Sequence, residues 1–282
     1  MKKLLVGVDG SQRSFDALRW AKQLADSLAL TTTTVTATGH DTAAVFSLSG
    51  DTPSDDLEAI TDAVAKRIAD MGLGDVEVEV VAGAPSAVLH EAASSPDVVG
   101  LVVGTRGLGT LPGLLLGSVS RKLLFDCVHP LFLLPDGAPP IDHVLMAVDD
   151  SAVSASVAEW CARLAAKLGA DATVVRCVDP GSELPPGHVE EYLDETRSLV
   201  DERWCGPLRL RDVQYDVVAV RGDARARITE VAQDRSASLI VVAGRGAGQF
   251  QGLGGTTSYL VRHSRIPLAV VPCDPNWSPA EL

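Results

Sequence analysis

Leu5-Val6-Gly7-Val8-Asp9-Gly10-Ser11 returns as Leu145-Met146-Ala147-Val148-Asp149-Asp150-Ser151, and Trp20 in the apolar segment that follows returns as Trp160, both at an offset of 140 positions. Self-similarity at one spacing points to a repeated structural unit. The frame barely drifts farther on. Val81-Ala82-Gly83-Ala84 matches Val220-Arg221-Gly222-Asp223, and Val102-Val103-Gly104-Thr105-Arg106-Gly107 matches Val241-Val242-Ala243-Gly244-Arg245-Gly246, at an offset of 139. Pro130-Leu131-Phe132-Leu133-Leu134-Pro135 answers Pro267-Leu268-Ala269-Val270-Val271-Pro272 at 137. Two copies, residues 1–137 and 141–273, therefore account for the chain, joined by Pro135-Asp136-Gly137-Ala138-Pro139-Pro140, a composition that breaks regular structure. The tail after Pro272 has no periodic pattern.

Within each copy, strand-like and helix-like patterns alternate, which predicts a doubly wound α/β fold with a five-stranded parallel sheet. Leu4 to Val8 forms a buried strand, and Phe15, Leu18, Ala21, Ala25 and Leu28 recur at helical spacing. Thr33 to Thr38 is β-branched, Leu57 to Met71 is helical, Val76 to Val81 alternates with a two-residue period, and Ser86 to Ala93 is a short helix. Val98 to Val103 and Leu131 to Leu134 complete the strands, with a helix near Ser118 to Phe125 between them. The second copy repeats this order, its second helix lying between Gly187 and Cys205.

Composition narrows the function. The 282 residues suit two ordinary domains, and no apolar stretch reaches the roughly 18 residues of a membrane span. A formal charge of −13 opposes a nucleic-acid or anionic-membrane surface, and Arg221, Arg225 and Arg227 are expected to be solvated. The five cysteines are scattered and odd in number, which fits a reducing cytoplasm, and the six histidines show no metal-ligand spacing.

Ligands of doubly wound sheets bind beyond the carboxyl ends of the strands. The first strand ends at Asp9-Gly10-Ser11. The fourth opens into Gly104-Thr105-Arg106-Gly107 and a glycine-rich run to Gly117-Ser118-Val119-Ser120. Glycines admit close approach of a phosphate, free amides donate to it, and a helix start at Ser118 favours an anion. The Ser120 hydroxyl is a further candidate donor.

The spacing Gly104-x2-Gly107-x9-Gly117-Ser118, between an apolar strand and a helix, resembles the ATP-binding signature of the universal stress protein family, and the likeness extends over both halves. That resemblance implies an adenine nucleotide α-hydrolase-like, Rossmann-like fold that binds ATP, with Mg2+ as an option. It puts Asp9 beside the nucleotide and Val103 at the adenine side. Gly104, Arg106, Gly107, Gly117, Ser118, Val119 and Ser120 fall around ribose and phosphates, and backbone near Thr38 and Gly39 lies against the adenine. It also implies pairing of last strands, Leu131 to Leu134 with Leu268 to Val271, and leaves room for a homodimer and an unidentified protein partner.

The second copy departs from the pattern. Ala243 replaces the first glycine, and the remainder aligns either as Gly246-x8-Gly255-Thr256, one residue short, or as Gly246-x9-Thr256-Thr257, without the last glycine. Asp149 and Ser258 remain, so Asp149, Gly246, Gly255, Thr256 and Ser258 form a weaker candidate site. Asp9 and Asp149 also suit simple helix capping, and Trp20 and Trp160 suit core packing.

A phosphate loop without lysine, and the lack of any Gly-x4-Gly-Lys-Ser/Thr or Gly-x-Ser-x-Gly motif, favour binding over turnover. Three functions stay open: a nucleotide-dependent regulatory protein, a slow ATPase or adenylate-transferring enzyme using Asp9 and Arg106, and a structural partner with vestigial sites.

Overall fold

Strand β1 (Lys3–Gly7) forms because Leu4, Leu5 and Val6 are buried whichever way they point, as a central strand of a covered parallel sheet requires. The structure, a computed structural model, describes residues 1–38, 57–105, 117–126, 128–179, 188–244, 253–273 and 277. It divides into unit 1, Met1–Pro140, and unit 2, Ile141–Leu282.

In unit 1, β1 is followed by α1 (Gln12–Ser27), β2 (Thr31–Thr38), α2 (Leu57–Asp70), β3 (Glu77–Ala82), α3 (Pro85–Ala93), β4 (Val98–Gly104), α4 (Ser118–Asp126) and β5 (Leu131–Leu134). The strands lie in the order β3-β2-β1-β4-β5, all parallel, with Leu5 opposite Thr33, Val6 opposite Val102 and Val103 opposite Leu133. Right-handed crossovers then place α1 and α2 on one face and α3 and α4 on the other. The chain leaves β1 towards β2 and leaves β4 towards β5, so the two connections diverge between β1 and β4.

Packing explains the helices. On α1, Phe15, Leu18, Ala21 and Ala25 are fully buried, each large side chain contributing about 1.5–3 kcal/mol. Trp20 belongs to the same face. Its ring tilts against Phe132 at a centroid distance of 5.7 Å, and its indole N–H donates to the Pro139 carbonyl at 2.6 Å. With the Arg13–Asp136 ion pair at 2.9 Å, this ties the Pro-rich segment to α1. Strand β3 begins one residue later than its alternation suggests. It pairs on one side with β2, and the charged side chain of Glu79 is exposed along it, which protects an edge from strand addition.

Unit 2 repeats the plan: β6 (His143–Ala147), α5 (Val153–Leu168), β7 (Asp171–Val178), α6 (Val189–Trp204), α7 (Gly206–Arg209), β8 (Tyr215–Arg221), α8 (Ala224–Asp234), β9 (Leu239–Ala243), α9 (Gly255–His263) and β10 (Leu268–Val271). Its order is β8-β7-β6-β9-β10, again parallel. The short α7, with Pro207 in its first turn, has no counterpart in unit 1 and shows no periodicity in the sequence. Of the basic group, Arg225 pairs with Asp223 and Arg227 with Glu230 at exposed positions, consistent with solvated surface. Among the described residues no helix is long and apolar enough to cross a membrane.

Candidate functional site

The β1 end is built by local hydrogen bonds. The Val8 N–H donates to Val35 O at 3.0 Å, extending the ladder one step, and the chain then turns at Gly10, whose φ of +87° favours a residue without Cβ. Asp9 Oδ1 accepts the Ser11 N–H at 3.0 Å. Ser11 in turn caps α1, its hydroxyl accepting the Ser14 N–H at 3.2 Å, while Ser14 Oγ donates to Ser11 O at 2.8 Å and accepts the Asp9 N–H at 3.3 Å. Ser11 thus fills the capping role, and the half-buried Asp9 carboxylate sits at the strand end beside it.

The β4 end faces it across the divergence. Thr105 N–H donates to Leu134 O at 2.9 Å, and the Gly117 N–H donates to Thr105 O at 2.8 Å, so the chain that leaves the strand at 105 returns to the same place at 117. Arg121 N–H donates to Gly117 O at 3.1 Å, which leaves the amides of Ser118, Val119 and Ser120 ahead of the helical ladder. These are the donors an anion would use. Ser120 has another role than the expected one: buried, with 4% of its surface exposed, it donates its hydroxyl to Gly104 O at 3.0 Å and pins α4 to the end of β4. Its side chain is committed to the scaffold, and its backbone amide remains at the helix start.

Val103 packs at the end of β4. Its side chain is buried against Gly7, where an added Cβ would stand 3.1 Å from Val103 Cγ1 and 3.0 Å from Leu89 Cδ1. At the β2 end, the Thr38 carbonyl accepts the Gly83 N–H at 3.1 Å. Gly39, Arg106 and Gly107 lie outside the described residues, as does Gly246 in unit 2.

The hydrogen bonds of unit 2 correct the alignment of its loop. Gly254 N–H donates to Gly244 O at 3.0 Å, Ser258 N–H to Gly254 O at 2.8 Å, and Thr257 Oγ1 to Ala243 O at 2.8 Å. These are the bonds of Gly117, Arg121 and Ser120. Gly254 therefore holds the last-glycine position, Gly255 and Thr256 stand where Ser118 and Val119 do, Thr257 is the clamp, and Ser258 answers Arg121. Neither expected register is the one adopted. The path from the clamped carbonyl to the last glycine is 11 residues (243 to 254) where unit 1 uses 13 (104 to 117), so the second loop is two residues short and keeps its glycine. A Gly-x2-Ser/Thr pattern fits Gly117–Ser120, Gly254–Thr257 and Gly255–Ser258 alike, so the sequence did not select this register and the hydrogen bonds do.

The β6 end differs as well. Asp149 Oδ1 accepts the Ser151 N–H at 2.9 Å, the Ser154 hydroxyl at 3.0 Å and the Ser151 hydroxyl. Ser151, unlike Ser11, turns back to the aspartate and makes no side-chain cap on α5. Asp149 is held by its own turn, and the N-cap of α5 is Ala152 with no side-chain cap, so the expected capping role of Asp149 is not the one adopted. Among the described residues no group of three or more His, Cys, Asp or Glu side chains is placed to hold a metal ion.

Two successive parallel five-stranded sheets, each with a loop clamped at its divergence point, make a repeated doubly wound, Rossmann-like α/β fold. A family model described as the universal stress protein family matches residues 1–135 and again 140–272, and the chain belongs to that family. It is 29% identical over 287 residues to a universal stress protein of Mycolicibacterium smegmatis, covering 95% of this chain and 96% of that one. A universal stress protein of Mycobacterium tuberculosis is 27% identical over 295 residues, covering 95% of each. Among solved structures, a universal stress protein from Archaeoglobus fulgidus has the same fold, with a TM-score of 0.69 and 21% identity over 96% of this chain and 98% of that one.

Proposed function

We propose that unit 1 binds ATP at the carboxyl ends of β1 and β4 and acts as a nucleotide-dependent regulatory protein rather than a catalyst. The observation that carries this reading is the closed loop base: Gly117 bonded to Thr105 and Ser120 to Gly104, which together hold the amides of Ser118, Val119 and Ser120 beyond the strand end. Preset amides need little rearrangement to receive phosphate oxygens, which keeps the ordering cost of binding low. Asp9 is the acidic group at the opposite lip and suits the ribose or a Mg2+ carried in with the phosphates. Arg106 and Gly107 would complete the phosphate side, and Gly39 the adenine side. In unit 2 the retained Gly254, Gly255 and Thr256 offer similar amides, with Gly246 in its shorter loop.

The regulatory reading rests on the loop between 105 and 117 as the part that responds to nucleotide. Titration of the full chain with ATP by calorimetry tests the binding, with Gly117→Val as the disabled control. Saturable binding to the wild type that is lost in the variant supports it. No heat and no thermal stabilisation at millimolar ATP would remove it.

A further inference from the structure

One difference between the units lies outside the loop. At the end of β7, Arg176 reaches across to the turn after β6, where its guanidinium donates to Asp150 Oδ2 at 2.5 Å and to the Val148 carbonyl at 3.5 Å. Arg203 of α6 approaches the same Asp150 at 3.4 Å. Arg176 is largely covered, with 20% of its side chain exposed, whereas Asp150 is 69% exposed. Neither partner has a charged counterpart in unit 1. The register puts Thr36 where Arg176 stands and Gly10 where Asp150 stands. Gly10 takes a φ of +87°, and Asp150 is not among the residues of positive φ, so the turn follows a different path in each unit. Charge and countercharge occur together in unit 2, and both are missing in unit 1.

The consequence follows from position. The space between the ends of β6 and β7 corresponds to that between β1 and β2, where the adenine of unit 1 is placed on the nucleotide reading above. In unit 2 that space holds a guanidinium bonded at two points to the turn after β6, beside an aspartate already filled by Ser151 and Ser154. A ligand entering there has to displace charge-assisted bonds and recover nothing from Asp149.

We propose that Arg176 is a specificity-determining residue that latches the base-binding end of unit 2 shut through Asp150 and Val148 O. This latch, more than the shortened loop, confines nucleotide to unit 1. The inference rests on the reading of unit 1 as a nucleotide site.

The test compares wild type, Arg176→Thr, Asp150→Asn and each of these combined with Gly117→Val, all as the full chain, titrated with ATP and with AMP. Asp150 is exposed, so its variant breaks the latch from the solvent side without touching the core, and circular dichroism confirms folding of each protein. The expected result is one site in wild type and none with Gly117→Val alone. A second site should open in either latch variant and persist beside Gly117→Val, tighter by roughly tenfold or more than any residual binding in the latched protein, the scale of one charge-assisted contact. Two sites in wild type would overturn the latch, and so would latch variants that still bind once, which would assign the restriction to the loop. No binding in wild type would instead remove the reading of unit 1, a different result from either.

Discussion

Ser120→Ala isolates what the clamp contributes. The Ser120 hydroxyl is buried and donates to the Gly104 carbonyl at 3.0 Å, and its removal leaves that oxygen short of one donor. A carbonyl keeps its second lone pair, so the cost falls in the lower part of the usual range, about 1 kcal/mol. For a unit of this size that lowers the melting temperature by about 3–5 °C. If the clamp also presets the amides of Ser118 to Ser120, the nucleotide must order them on binding, and the same 1 kcal/mol appears as a Kd about fivefold weaker. Thr257→Val removes the equivalent bond of unit 2, where Thr257 Oγ1 reaches Ala243 O at 2.8 Å, and serves as control. Calorimetric unfolding and ATP titration of both variants give the answer. The two should lose similar stability, and Ser120→Ala alone should lose affinity. An unchanged Kd in Ser120→Ala, with stability reduced, would refute the link between clamp and donors.

Three further outcomes follow from single features. Gly83 has a φ of +148° and its missing Cβ would stand 3.0 Å from Val88 Cγ2, so Gly83→Ala should destabilise unit 1 by about 1–3 kcal/mol in urea unfolding, and a change below about 0.5 kcal/mol would contradict the strain. Burial pushes the Cys161 and Cys205 thiols up to about 12 and Cys177 up to about 11. Folded values above the unfolded one near 9.0 mean that the neutral thiols' contribution is complete below that pH. It is lost as pH rises through 11 and 12, so unfolding midpoints should fall there, and native protein at pH 8 should leave Cys161 and Cys205 unalkylated. Rapid native labelling of either would sink this. Trp20→Phe keeps the ring packing but drops the bond to Pro139 O, and cleavage between 136 and 139 by a dilute protease should accelerate about fivefold for a bond of about 1 kcal/mol; unchanged cleavage would show that the bond does not restrain the segment.

Much of the fold was legible because the repeat turned one ambiguous reading into two concordant ones. The strand limits at Leu131–Leu134 agree with the sequence, and Phe15, Leu18, Ala21 and Ala25, selected by helical spacing, are buried on α1 together with Ser14, Ala17, Trp20 and Leu24. Short elements without periodicity were harder. Four residues of α7 span barely one turn, too little for an amphipathic pattern. At the site, glycines and the aspartate were legible by type and the direction of side chains was not. Ser120 turned inward because the third residue of a helix at a strand end meets the strand's last carbonyl, and a hydroxyl there satisfies it. In the loop of unit 2 the glycines alone favour another alignment, because the register is fixed by that same buried hydroxyl, at Thr257. Arg176 and Asp150 are far apart in sequence, and only the parallel pairing of β6 with β7 brings them together.

The most direct measurement is the count of adenine nucleotide released by denaturing the natively purified chain, identified by chromatography and repeated on Gly117→Val. One ATP per chain is expected in the wild type and none in the variant. No nucleotide in the wild type, with no binding on titration, would contradict it.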